Sequence, residues 1–175
     1  MLRITLALAF FSCTAFGQSP KDPPAWKALQ VLVGNWSGTG EGESGTSTVS
    51  RSYELILNNK FMLGKNRSEY KPQEKNPKGE THENWDMLSW DRTRGKCIFR
   101  QFHVESFVNQ YVLDSVSSDL KFFRFVTEAI ENIPSGWRAR ETYEFLDRND
   151  FIETFELAEP GKDFTLYPRN HFRRE

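Results

Sequence analysis

Two glutamates interrupt an aromatic alternation near the C-terminal end of this 175-residue chain. From 137 to 146, Trp137, Ala139, Tyr143 and Phe145 recur at alternate positions and Glu141 falls in the same set, while Arg138, Arg140, Thr142 and Glu144 occupy the other. Glu153 stands likewise between Phe151 and Phe155. A period of two is that of a strand with one buried face, so both carboxylates are expected to point into an apolar interior. There a carboxylate must be paired, hydrogen-bonded or protonated, and Arg100, Arg124, His103, Gln101 and Asn109 are the candidate partners. Such groups can fix the polar end of an otherwise apolar ligand, or close a satisfied internal network with water. A glycosidase-like acid and base pair would need a saccharide-stacking context that the neighbouring residues do not supply.

The remaining chemistry-bearing residues are few. His103, between Phe102 and Val104, is the interior candidate among three histidines, but it has no HxH or ExxH companion for a metal site. His82 beside Glu80 and Glu83, and His171 close to Arg173 and Arg174, are expected in solvent. Cys97 has no second Cys or His at a suggestive spacing and reads as a small, half-buried strand residue. No nucleophile elbow is present.

These residues need strands to position them. Trp26, Leu29 and Val33 fit one short helix over 25–33, behind an exposed leader, 18–24, that contains KDPP. From Gly34 onward the period is two, in segments bounded by Gly, Pro, Asn and Asp. Ten strands are predicted, at 35–42, 46–57, 60–70, 81–90, 96–105, 106–116, 120–130, 137–146, 151–158 and 164–173. Most links are hairpin-short, which demands antiparallel neighbours. Fifteen Phe, five Trp and five Tyr favour strands. An open ten-stranded meander would leave two edges, so an all-β, closed ten-stranded antiparallel barrel is expected, one domain over 25–175. Ten strands enclose more than eight do, so an internal pocket is expected too.

Charge and targeting bound the function. With 23 basic and 24 acidic residues interspersed, the net charge is −1, and no basic stripe exists to neutralise phosphates. Nucleic acid is excluded as an expected partner. Arg3, the apolar run Ile4 to Phe11 and Ala15-Phe16-Gly17 have the order of a signal peptide over 1–17, with Gln18 as mature N-terminus. An exported protein, periplasmic or extracellular, is expected, without membrane insertion: no later apolar run approaches the roughly 20 residues of a span. Cys13 leaves with the signal, so the fold has no intrachain disulfide.

The strongest local motif is GNWSGTGEG, in which Gly34, Trp36, Gly38, Gly40 and Gly42 share a strand face. Glycine weakens a strand unless a bend, a ligand or another backbone requires it. No helix follows, so the motif is not a nucleotide-binding loop. The stretch resembles the GxWxGxGxG signature of the nitrobindin family, barrels related in shape to fatty-acid-binding proteins and lipocalins. The apolar lead-in Leu29 to Val33 and the basic end Phe172-Arg173-Arg174 agree with it, while Trp90-Asp91 and Lys96 to Tyr111 look more like exported bacterial barrels of unassigned function. The resemblance implies a haem with one axial histidine from the closing strand, acting on nitric oxide or peroxynitrite. The chain departs there. The ligand position falls near Leu166 or Tyr167, and the nearby histidine is His171, past Pro168 and on the expected face of Tyr167. The residues themselves call for no cofactor. They suggest a non-catalytic carrier or sensor of a small apolar molecule, bound by Trp36, Gly38, Gly40, His103, Tyr111, Glu141, Tyr143 and Glu153; His171 or Tyr167 would act only as haem ligands.

Overall fold

The computed structural model describes residues 23–175; the expected signal peptide and residues 18–22 of the leader lie outside them. A short helix α1 (Pro24–Leu29) and a 3-10 turn (Gln30–Leu32) precede ten strands. These are β1 (Gly34–Gly42), β2 (Gly45–Ile56), β3 (Phe61–Tyr70), β4 (Glu80–Asp91) and β5 (Lys96–His103). The second half adds β6 (Val108–Val116), β7 (Phe122–Glu131), β8 (Arg138–Asp147), β9 (Asp150–Ala158) and β10 (Thr165–Arg174). Each strand pairs antiparallel with its sequence neighbours, and β1 pairs with β10, so the sheet closes and exposes no edge.

The helix differs from expectation in its second half. Proline at the first helical position suits the start of α1, but the chain tightens to a 3-10 turn after Leu29. The buried set is therefore Trp26, Leu29 and Leu32, three apart, with Val33 only half-buried.

The glycine motif is explained by closure. A Cβ on Gly38 would lie 1.9 Å from the carbonyl oxygen of His171, and one on Gly42 would lie 2.0 Å from that of Tyr167. Side chains on this face of β1 would hold β10 away.

Alternate residues fill the half of the barrel under the helix. Trp36 donates from Nε1 to the Leu32 carbonyl at 2.6 Å and meets Phe151 edge-on at 4.7 Å. Phe151 stacks on Phe172 at 4.8 Å, and Phe99 on Tyr111 at 5.1 Å. Arg174 covers the Trp36 ring at 4.1 Å and donates to the carbonyls of Val33 and Val31, tying the end of β10 to the helical segment. Packing fills this half, and the opposite half is left for a cavity.

Two irregularities shape the open end. β5 stops at His103 and residues 104–107 form a turn, with Ser106 at φ 75°, so Glu105 is not a strand residue. In β10 the register against β9 shifts between Leu166 and Arg169, around Pro168, which has no N–H for the ladder.

Candidate functional site

The inward face of β2 carries Ser47, Val49, Arg51 and Tyr53 in strict alternation, which places a guanidinium inside the barrel. Its nearest charged group is Glu153 on β9: Nη2 donates to Oε2 at 2.6 Å, and Nη1 donates to Oε1. Arg51 also donates from Nε to Asn66 Oδ1 at 2.8 Å and from Nη1 to the Tyr53 hydroxyl at 3.0 Å. Asn66 passes a bond to Asn84, and Asn84 one to Asp86, at 2.7 and 2.6 Å. Asn170 donates to Glu153 Oε2 at 2.8 Å. All of these side chains are buried.

Burial is the largest single influence on Arg51 and works against its charge, but Glu153, Tyr53, Tyr143 and Asp86 together outweigh it and hold the guanidinium protonated. Glu153 gains reciprocally: burial pushes its carboxyl up, and Arg51 with the bonds from Glu141 and Asn170 brings it below the ordinary range. Glu141 sits beside Glu153 with no cation of its own. Burial, then the Glu153 charge and the hydrogen bond to it, raise its carboxyl well above the usual value, so it is a neutral donor at pH 7. Burial pushes Asp86 up to about 7, and its Oδ2 has no hydrogen-bond partner.

This polar belt floors a cavity of about 560 Å³ that opens at the end opposite the helix. Above the belt one side of the wall is apolar, formed by Phe107, Ile130, Ile133, Trp137, Phe155 and Leu157, while the side made by β3 and β4 is polar, with Ser68, Thr81 and His82. Of the expected site residues, His103, Glu141, Glu153 and Tyr167 line this cavity. Tyr111 and Tyr143 are fully buried below it, and Trp36 belongs to the packed end. Gly38 and Gly40 border grooves on the outer surface, across the seam of β1 and β10.

Several partners differ from expectation. Arg100 is exposed and Arg124 pairs outside with Asp114 at 2.8 Å, because both occupy the outward phase of their strands. The cation that neutralises the interior is Arg51, missed although Val49 and Tyr53 flank it in the same phase. His82, expected in solvent, turns its ring toward the mouth, where Nε2 lies 3.2 Å from His103 Nδ1 and Nδ1 lies 2.8 Å from Glu105 Oε1. Asn109 Nδ2 approaches His103 Nε2 at 3.2 Å.

His171 and Tyr167 do not share a face. The bulge at Pro168 reverses the alternation between them, so Tyr167 borders the cavity while His171 lies outside, 2.5 Å from Asp150. The buried residues of β10 are Asn170 and Phe172. The closing strand therefore offers no inward histidine to a haem, and a haem held in the family's manner does not fit the residues present.

The fold is a closed ten-stranded antiparallel barrel with a cavity at one end. No protein-family profile and no curated protein matches the sequence. Among solved structures the chain is similar to Rv2717c from M. tuberculosis, with a TM-score of 0.64 at 16% identity over 87% of this chain and 98% of that one. A redesigned β-barrel aligns with a TM-score of 0.45 at 10% identity, over 85% and 95% of the two chains. No helix among the described residues is long and apolar enough to cross a membrane.

Proposed function

We propose that this protein is an exported, non-catalytic carrier or sensor that holds a small, mainly apolar molecule with an uncharged polar end inside the barrel. The observation that carries the reading is the arrangement of the cavity, with an apolar wall from Phe107 to Leu157 beside a hydrogen-bonding floor. The floor's charges cancel locally. Arg51 is committed to Glu153 and the Glu141 proton is donated to Glu153, so a carboxylate ligand would find no free cation, whereas a hydroxyl or carbonyl finds the side-chain amides of Gln101 and Asn109 lining the cavity. Export is supported by the order of charge, apolar run and small residues at the start of the sequence.

The test compares a medium-chain fatty alcohol with the fatty acid of the same length, titrated into the purified protein. The alcohol is expected to bind the tighter by at least about tenfold, and Ile133→Asp, which places a charge in the apolar wall, to weaken it. Failure of both ligands to bind would overturn the carrier reading, and intact mass of the secreted product tests cleavage before Gln18. The nitrobindin resemblance of the glycine motif keeps haem as the alternative. A Soret band after haem addition, lost in Tyr167→Phe, would favour it over the carrier.

A further inference from the structure

We propose that His82, His103 and Glu105 bind a divalent transition-metal ion of the zinc type at the mouth of the barrel, leaving one coordination position open. The site lies at the rim of the carrier's cavity and shares His103 with it, but metal binding is read out without any cavity ligand and so stands or falls separately.

The register places Asn84 opposite His103, so His82, two residues earlier on the same face of β4, stands diagonally across from it. One donor atom from each of the three residues lies within 4.8 Å of the other two. The ring nitrogens, His82 Nε2 and His103 Nδ1, are 3.2 Å apart. Zinc bonds of 2.0–2.1 Å at tetrahedral angles separate two nitrogen ligands by roughly 3.3 Å, so the rings are already at the right spacing and need only rotate to aim both lone pairs at one ion beside the line between them. Glu105 occupies the turn after β5 and its side chain is half-exposed, free to swing its carboxylate to the ion. Two imidazoles and one carboxylate form a donor set of intermediate softness, suited to zinc and its neighbours rather than to calcium or magnesium.

The surroundings orient the rings. His103 is stacked on Phe107 with ring centres 4.0 Å apart, and its other nitrogen is held by Asn109. With the Asn109 carboxamide turned so that Oδ1 faces the ring, Nε2–H donates to it and Nδ1 presents its lone pair outward. The Tyr111 hydroxyl, 3.0 Å from the same carboxamide, then donates to that oxygen too. Without metal, and with the carboxamide in its other orientation, Asn109 Nδ2 donates to His103 Nε2, His103 Nδ1–H to His82 Nε2 and His82 Nδ1–H to Glu105, a chain of neutral rings ending on the carboxylate.

The experiment titrates Zn²⁺ into the chelator-treated full-length protein by calorimetry and follows Co²⁺ by visible absorption. One ion per chain is expected, at micromolar affinity or tighter, with the intense d–d bands of four-coordinate Co²⁺. His82→Ala and Glu105→Ala, both partly exposed and outside the packed core, are expected to weaken binding by at least roughly tenfold with the melting temperature preserved. His171→Ala, outside the barrel, is the control that leaves it unchanged. Absence of one-to-one binding, or full affinity retained in His82→Ala, would overturn the proposal.

Discussion

Four ionisable side chains, Arg51, Glu153, Glu141 and Asp86, share the middle of the barrel, and their protonation is set by who is left without a cation. Arg51 and Glu153 compensate each other. Glu141 solves its problem by keeping a proton, and Asp86, with one oxygen bonded to Asn84 and the other without a partner, is poised near neutrality. Asp86 therefore makes stability depend on pH in a definite sense. Its carboxyl is raised from the ordinary 3.8 to about 7 in the folded state, so the folded state binds the proton more tightly. Its contribution is greatest at or below the unfolded value and is lost as the pH rises to about 7. Glu141 adds a slope of the same sign, so the comparison must be made against a variant. Asp86→Asn keeps the acceptor for Asn84 and removes the ionisation; at pH 8 it is expected to be more stable than the parent by on the order of 4 kcal/mol, an advantage that shrinks to less than half, roughly 1–2 kcal/mol, at pH 5. Denaturant midpoints at the two pH values measure this. A variant no more stable than the parent at pH 8 would show that Asp86 is not strained by its charge.

The strands and the helical segment divide the barrel into a packed end and a receptive one. The packed end depends on Trp36, which bonds to Leu32, lies against Phe151 and is covered by Arg174, so one side chain connects the helical turn, β1, β9 and β10. Trp36→Ala empties that junction where Cys97 is a free cysteine and no disulfide offsets the loss. A cost of about 3–5 kcal/mol in chemical denaturation is expected; a loss below about 1 kcal/mol would mean that the helical segment does not depend on it. At this scale the sequence was largely readable. Alternation from Gly34 onward located ten strands, and hairpin-short links dictated the meander, because both signals are local. Less readable were features in which a single residue alters the phase. The turn at 104–107 takes Glu105 out of β5 and toward the histidines, and Pro168 puts Tyr167 and His171 on opposite sides of the wall. The approach of His82 to His103 spans two strands and leaves no HxH or ExxH spacing to detect. Arg51 was within reach of the pattern, flanked in phase by Val49 and Tyr53, but an inward arginine is costly until a partner 102 residues away is known.

Over the whole molecule, the cavity's selectivity should follow from its charge balance, and that balance can be rewritten. Neutralising Glu153 alone should not free Arg51. Glu141 is hydrogen-bonded beside it and holds its proton partly because Glu153 is charged; in Glu153→Gln that repulsion disappears, and Glu141 can ionise and take over the guanidinium. The single variant should therefore fold with a modest loss of stability and keep its preference for an uncharged ligand. Removing both carboxylates, in Glu141→Gln with Glu153→Gln on an Asp86→Asn background so that no acidic neighbour remains, leaves Arg51 as a buried cation at the cavity floor with only neutral partners, Asn66 and Tyr53. An unpaired buried charge typically costs about 3–5 kcal/mol, and the natural way to recover it is a ligand that brings the missing carboxylate. The triple variant should therefore bind the fatty acid in preference to the alcohol, inverting the parent's order. Its melting temperature should rise with fatty-acid concentration, since a ligand that binds only the folded state stabilises it by mass action. Thermal melts of the parent, the single and the triple variant, each with alcohol and with acid, separate these outcomes. Should the triple variant fold and still show no stabilisation by the acid, Arg51 would not be reachable from the cavity, and the floor would be a structural network alone.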